Sequence, residues 1–200
     1  MRAAVGVIVV AGLLSPHGAH ADEPSPPRHA VQLAASGLYA RATTSKGDTS
    51  GVFSERNGGA AVALRVAYRS PYVVGAFADY GLFPLYRSDR HVDLGSAGGR
   101  ATTLASLSTT GLTFGVTADV WRLRASAGVG SFSVAVRSTT LGVTNRVSEG
   151  DIGYVLSLAG FPVRWRRLEI GVEARAIFVV EAELTAVCLG FTMGGDLFRW

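Results

Sequence analysis

LTAVCLGFTMGGDLFRW, residues 184–200, is the stretch that decides how the chain is read. It ends on Trp200 without a polar tail, whereas the ends of soluble domains are normally frayed and polar. Phe198 and Trp200 make an aromatic-x-aromatic ending, and Gly195 stands three residues before the first aromatic. Alternation puts Asp196 on the same face as those two aromatics. So short a pattern arises easily from composition, and its meaning depends on what precedes it.

The other end of the chain points to export. Arg2 supplies a short positive region, Ala3 to Leu14 is an uninterrupted apolar run of twelve, and Ala19-His20-Ala21 is an A-x-A cleavage site. Twelve apolar residues are too few for a membrane-spanning helix, which needs about twenty. Residues 1–21 are therefore expected to be a cleaved signal peptide, and the absence of a cysteine after the apolar run argues against a lipid anchor. The proline-rich 22–29 (DEPSPPRH) reads as a periplasmic leader without regular structure. The remaining 30–200 suit one domain. Nowhere in it do eighteen apolar residues follow one another, so any crossing of a bilayer must use strands, closed on themselves to satisfy every backbone polar group.

Charge and cysteine usage exclude other classes. Without Arg2 the chain has 18 basic and 15 acidic residues, and Lys46 is the only lysine. The arginines are dispersed, which speaks against a nucleic-acid partner. Cys188 is the sole cysteine, so neither an intramolecular disulfide nor a cysteine-built metal site can form. In an apolar strand it reads as a small buried or lipid-facing filler. No metal-ligand spacing is present, the Gly-Gly pairs do not open helices as a phosphate loop requires, and no cofactor is expected.

From Ala30 onward, apolar residues alternate with small or polar ones in runs of about ten, the period of strands whose faces meet different surroundings. Val62, Leu64, Val66 and Tyr68 oppose Ala61, Ala63, Arg65 and Ala67. Val74, Ala76, Ala78, Tyr80 and Leu82 oppose Phe77 and Asp79. Leu112 to Val120 and Ile152 to Leu158 repeat the pattern, and Leu168 to Phe178 shows it most cleanly, opposing Glu169, Gly171, Glu173 and Arg175. In Leu123 to Val136 the apolar set changes parity after Gly130, which predicts a β-bulge near Gly130-Ser131. Eight strands result. Short turns at Ser70-Pro71, Trp121-Arg122 and 162–167 alternate with long polar connections at about 43–59, 84–101 and 137–150. Aromatic residues, among them Tyr39, Tyr80, Phe83, Trp121, Phe161 and Trp165, fall at strand ends, where interfacial belts sit.

An even strand number, short turns on one side and long connections on the other are the layout of an all-β, eight-stranded antiparallel up-and-down transmembrane β-barrel. Over 30–200 the chain resembles the small bacterial outer-membrane barrels of the OmpX, OmpW and OmpA-barrel sort. Gly195, Phe198 and Trp200 resemble the C-terminal signal strand that the barrel-assembly machinery reads in that family. The resemblance implies a bacterial outer-membrane location, contact with outer-membrane lipid, termini in the periplasm and long connections outside the cell. It would also turn Asp196 toward lipid.

Eight strands enclose a space just wide enough for side chains. The expected lumen residues Arg65, Asp79, Asp119, Glu169, Glu173 and Arg175 carry both signs, and buried charges must be paired. A polar plug that holds the strands in register is the preferred reading, and a narrow channel for small solutes is the alternative. His91, beside Ser88, Asp89 and Asp93, is a weak candidate acid/base group for a lipid-modifying enzyme, since a loop does not preorganise such a set. An exported soluble barrel with its apolar faces turned inward on a small ligand is a further alternative. A structural or surface-interaction role without catalysis is the expected function.

Overall fold

A computed structural model describes residues 29–44, 58–93, 100–141, 143–165 and 167–200, with the backbone alone at 44, 88–93 and 100–103. The expected signal peptide, leader residues 22–28 and 45–57 of the first connection lie outside the described residues. Eight strands follow one another: β1 (Ala30–Thr44), β2 (Gly59–Arg69), β3 (Val74–Asp93), β4 (Arg100–Val120), β5 (Leu123–Thr140), β6 (Val143–Trp165), β7 (Leu168–Val179) and β8 (Leu184–Arg199). Each pairs antiparallel with the next, and β8 pairs with β1 to close the ring. No helix among the described residues is long and apolar enough to cross a membrane.

Alternation does the sorting. In β2 and β7 every second residue is exposed and its neighbours are buried. Val62, Leu64, Val66, Leu112, Phe114, Val116, Leu156, Leu158, Val172, Val187 and Leu189 face outward, forming an apolar belt that would be untenable in water. Closure leaves no unpaired edge at its level. Tyr39, Tyr68, Tyr80, Trp121 and Trp165 are exposed around the belt, as an interfacial aromatic girdle requires. Phe83 and Phe161 do not belong to it. Both point inward, because alternation from Asp79 and Ala159 carries them to the lumen face.

One end of the barrel is built of tight turns. Trp121 takes a positive φ of 54° between β4 and β5, as a two-residue hairpin turn demands of a residue there. In the β2–β3 turn the Tyr72 N–H donates to the Ser70 hydroxyl at 3.2 Å.

The other end corrects two expected connections. Pairing of β2 on β3 stops at Leu82 and pairing of β7 on β6 stops at Gly153, yet β3 to β6 run on as a four-stranded sheet above the rim. The stretch 84–101 is strand as far as Asp93 and again from Arg100, and 137–150 is a hairpin whose strands pair up to Thr140 and Val143. Above the apolar belt both faces of a strand can be polar, so no apolar period marks it.

The expected bulge at Gly130-Ser131 is absent. β5 pairs with both neighbours in unbroken register from Leu123 to Thr140, and Phe132 and Val134 lie on the same inward face as Arg124 and Ser126. Gly111 and Gly153 make this possible: a Cβ on either would collide with the Phe132 ring. The apolar set changes parity because the lumen itself changes character. Register shifts fall instead at Ala42/Thr44 in β1, at Pro84/Tyr86 in β3, at Gly160/Val163 in β6 and near the end of β8. There Gln32 pairs with Asp196 and Val31 with Phe198, leaving Leu197 as the extra residue. Asp196 consequently points into the barrel rather than toward lipid, while Phe198 stays exposed.

Candidate functional site

The interior has two parts. Toward the tight-turn end, β1 contributes Gln32 and Ser36, β2 Arg65, β3 Asp79, β5 Arg124 and Ser126, β6 Ser157, β7 Glu169, Glu173 and Arg175, and β8 Thr192 and Asp196, all buried. Toward the protruding sheet the same inward faces become apolar. Leu38, Phe83, Leu85, Tyr86, Leu107, Phe132, Val155, Ile177, Leu184 and Cys188 pack into one buried cluster that fills the lumen.

The middle layer is a four-membered ionic set. Arg65 and Asp79 are direct cross-strand partners, and Arg65 Nε donates to Asp79 Oδ2 at 3.0 Å. From across the barrel, Arg175 grips the same carboxylate with two bonds of 3.1 and 2.8 Å, and it also donates to Glu173 Oε1 at 3.1 and 2.9 Å. Arg65 reaches Glu173 at 3.6 Å. Hydroxyls supply the remaining partners: Ser36 donates to Glu173 Oε2 at 2.6 Å, and Arg65 donates to Ser126 at 3.2 Å and Ser157 at 3.4 Å. Two positive and two negative charges balance, the condition under which buried charges are tolerated. Arg65 also lies over the Phe77 ring, 4.6 Å from its centroid.

Below it, nearer the tight turns, is a second set. Arg124 binds Asp119 Oδ1 at 2.6 Å, Glu169 Oε2 at 3.0 Å and the Gln32 carbonyl at 2.7 Å, while the Gln32 amide donates to Glu169 at 2.9 Å. Arg69 joins Asp119 and Glu169, both at 3.1 Å, and Arg164 reaches Glu169 at 3.3 Å. Asp196 pairs with Arg199. All six residues expected in the lumen point inward. Arg65, Asp79, Glu173 and Arg175 meet in the upper set, and Asp119 and Glu169 belong to the lower. Sequence reading missed Gln32, Arg69, Arg124, Arg164 and Asp196. For Arg124 the signal was available, since alternation places it with Ser126. Arg69 follows Arg65 and Ala67 in the same alternation, so its signal was available too, at the last residue of β2.

No protein-family model matches the chain, and no curated protein matches it either. Solved structures do match. Ail, the attachment invasion locus protein of Yersinia pestis, aligns over 88% of this chain and 100% of its own at 9% identity, with a TM-score of 0.54. In its complex with the heparin analogue sucrose octasulfate, Ail aligns over 86% of this chain and 98% of its own at 10% identity, with a TM-score of 0.51. A major outer membrane protein from Thermus thermophilus aligns over 86% and 98% at 11% identity and a TM-score of 0.50. The chain has the fold of the small eight-stranded outer-membrane barrels.

In this barrel the seam between first and last strands ends on an aromatic stack. His29 and Trp200 exchange two backbone hydrogen bonds of 3.1 Å, the His29 ring lies between Tyr68 and Trp200 at centroid distances of 5.9 and 5.8 Å, and its Nδ1 is 2.6 Å from the Tyr68 hydroxyl. Gly195 and Phe198 sit on the same seam, paired with Leu33 and Val31. Cys188 faces the lumen, not lipid, opposite Arg175 in register and against the apolar cluster. His91 pairs by its backbone with Thr102 in the protruding sheet, and its side chain lies outside the described residues. Among the described residues no group of three His, Cys, Asp or Glu is placed to hold a metal.

Proposed function

We propose that the protein is a closed outer-membrane barrel with a structural and surface-interaction role: a lipid-held anchor that presents the β3–β6 sheet to the exterior. Export by a cleaved signal peptide, insertion by the barrel-assembly machinery through Gly195, Phe198 and Trp200, and tight turns on the periplasmic side complete the reading. The observation that carries it is the layered lumen. An ionic plug alone is compatible with a narrow solute path, but here an apolar stopper led by Phe83, Leu85, Leu107 and Phe132 lies across the same axis. Ions entering it would lose their hydration with few polar groups in return, the Thr109 hydroxyl among them. The outward apolar belt also runs against a soluble ligand-binding barrel. The name of Ail refers to attachment and invasion, and one of its structures holds a heparin analogue. A sheet held above the membrane suits this chain to contacts of that general kind.

Planar-bilayer recording on the purified barrel tests the closed lumen, with no discrete conductance steps expected. Steady unit steps would instead establish the narrow channel. For the surface role, replacing 86–106 and 137–146 by two-residue turns should leave the barrel in the membrane and lower adherence of the producing cells. Unchanged adherence would remove the role assigned to the sheet.

A further inference from the structure

Above the rim, the register aligns three arginines on one face. Arg87 of β3 pairs with Ser106 of β4, Ser106 with Arg137 of β5, and Arg137 with Arg146 of β6. Directly paired residues share a face, and here it is the outward one, opposite to buried Leu107 and Phe132. Arg137 and Arg146 are like charges placed directly opposite each other, an arrangement that destabilises a sheet unless an anion joins it. Around them the outward face offers Ser108 and Ser148 one row below and Thr139 and Thr144 one row above, the last two hydrogen-bonded to each other at 2.9 Å. By backbone register, Asp89, opposite Leu104, and Asp93, opposite Arg100, share this face further along β3. Glu149 and Asp151 fall on the other face, and Asp151 is occupied by the backbone N–H groups of Glu181 and Ala182 at 2.6 and 3.0 Å. A cavity of about 350 Å³ opens at this place, lined by Arg87, Leu104, Ser106, Arg137 and Thr139.

Height and direction select the ligand. The last row to include an apolar belt residue is Leu82, Thr110, Ser133 and Gly150, and the arginine row lies four residues further along β4. At about 3.4 Å per residue and a tilt of about 40°, that is roughly 10 Å above the belt. The face looks sideways over the surrounding lipid, not upward into the medium. We propose that the row of Arg87, Arg137 and Arg146 binds the phosphorylated saccharide headgroup of a glycolipid in the same outer leaflet. Guanidinium forks pair bidentately with phosphate, and the serine and threonine hydroxyls complement sugar. The proposal rests on the outer-membrane reading with β3–β6 outside the cell.

The test uses the whole barrel in nanodiscs of uncharged phosphatidylcholine doped with phosphorylated lipopolysaccharide or with its phosphate-stripped form, and reads bound glycolipid by native mass spectrometry. The unaltered barrel should retain the phosphorylated form. Arg137→Gln with Arg146→Gln should bind about tenfold more weakly, and the difference should shrink in 1 M salt, where screening acts within about 3 Å. Arg122→Gln, at the opposite end, should match the unaltered barrel, and cold-gel migration reports folding of each variant. Equal retention by the double variant, or equal retention of the phosphate-stripped form, overturns the proposal. Competition by free inositol hexakisphosphate as strong as by the lipid-linked phosphate would overturn the glycolipid source and assign the row to a soluble anion. Silent conductance with failed glycolipid binding would leave the closed-anchor reading standing, so the two fail separately.

Discussion

Asp79 accepts hydrogen bonds from both Arg65 and Arg175. Removing it leaves two buried guanidiniums with Glu173 as their only anion, and breaking a buried pair costs about 3–5 kcal/mol. Asp79→Ala should therefore lower the unfolding free energy, read from urea titration of the refolded barrel in lipid vesicles, by that margin. A double change of Asp79 and Arg65 to apolar residues should recover part of it, because no charge is then left unpaired at that pair. Phe132 makes the complementary prediction for the apolar part. Phe132→Ala should cost about 3–5 kcal/mol through the cavity it leaves between Gly111 and Gly153. It should also raise the leak through planar bilayers, whereas Ser157→Ala, lower down among the charges, should not.

Element by element, what the sequence made legible followed the membrane. Within the belt, lipid on one side and side chains on the other impose a period of two, and all eight strands showed it. Above the belt that contrast vanishes. Ser88 to Asp93 and Val143 to Gly150 alternate nothing apolar and therefore read as loops. Inside the barrel, the ionic part keeps polar residues inward, but the stopper turns the inward face apolar at Phe132, which mimicked a bulge. The true bulge at Leu197 left no compositional trace, since Leu197 and Phe198 are both exposed and both apolar. At this scale, the seam and the assembly signal can be separated. Phe198→Ala with Trp200→Ala should reduce insertion in cells severalfold while the purified chain still refolds in detergent. Loss of refolding as well would make the two aromatics seam residues only, held through the His29 contact.

The whole molecule is a closed ring with a sheet raised on one side, and its first test is gel migration. Folded in detergent and kept cold, it should run at a different apparent mass from the boiled chain, and the shift should survive Arg137→Gln/Arg146→Gln but weaken in Asp79→Ala. Absence of any shift would contradict a closed, detergent-resistant barrel. The order of the layers has a consequence for how such a molecule diversifies. Charges that hold the strands together are concentrated at the tight-turn end, and the tall hairpins are separated from them by Phe83, Leu107, Phe132 and Ile177. Changes of length or composition in the hairpins are thus insulated from the ionic frame. The exterior can be rewritten, by selection or by grafting foreign hairpins between Tyr86 and Leu107, while the part that must fold in lipid keeps its own register.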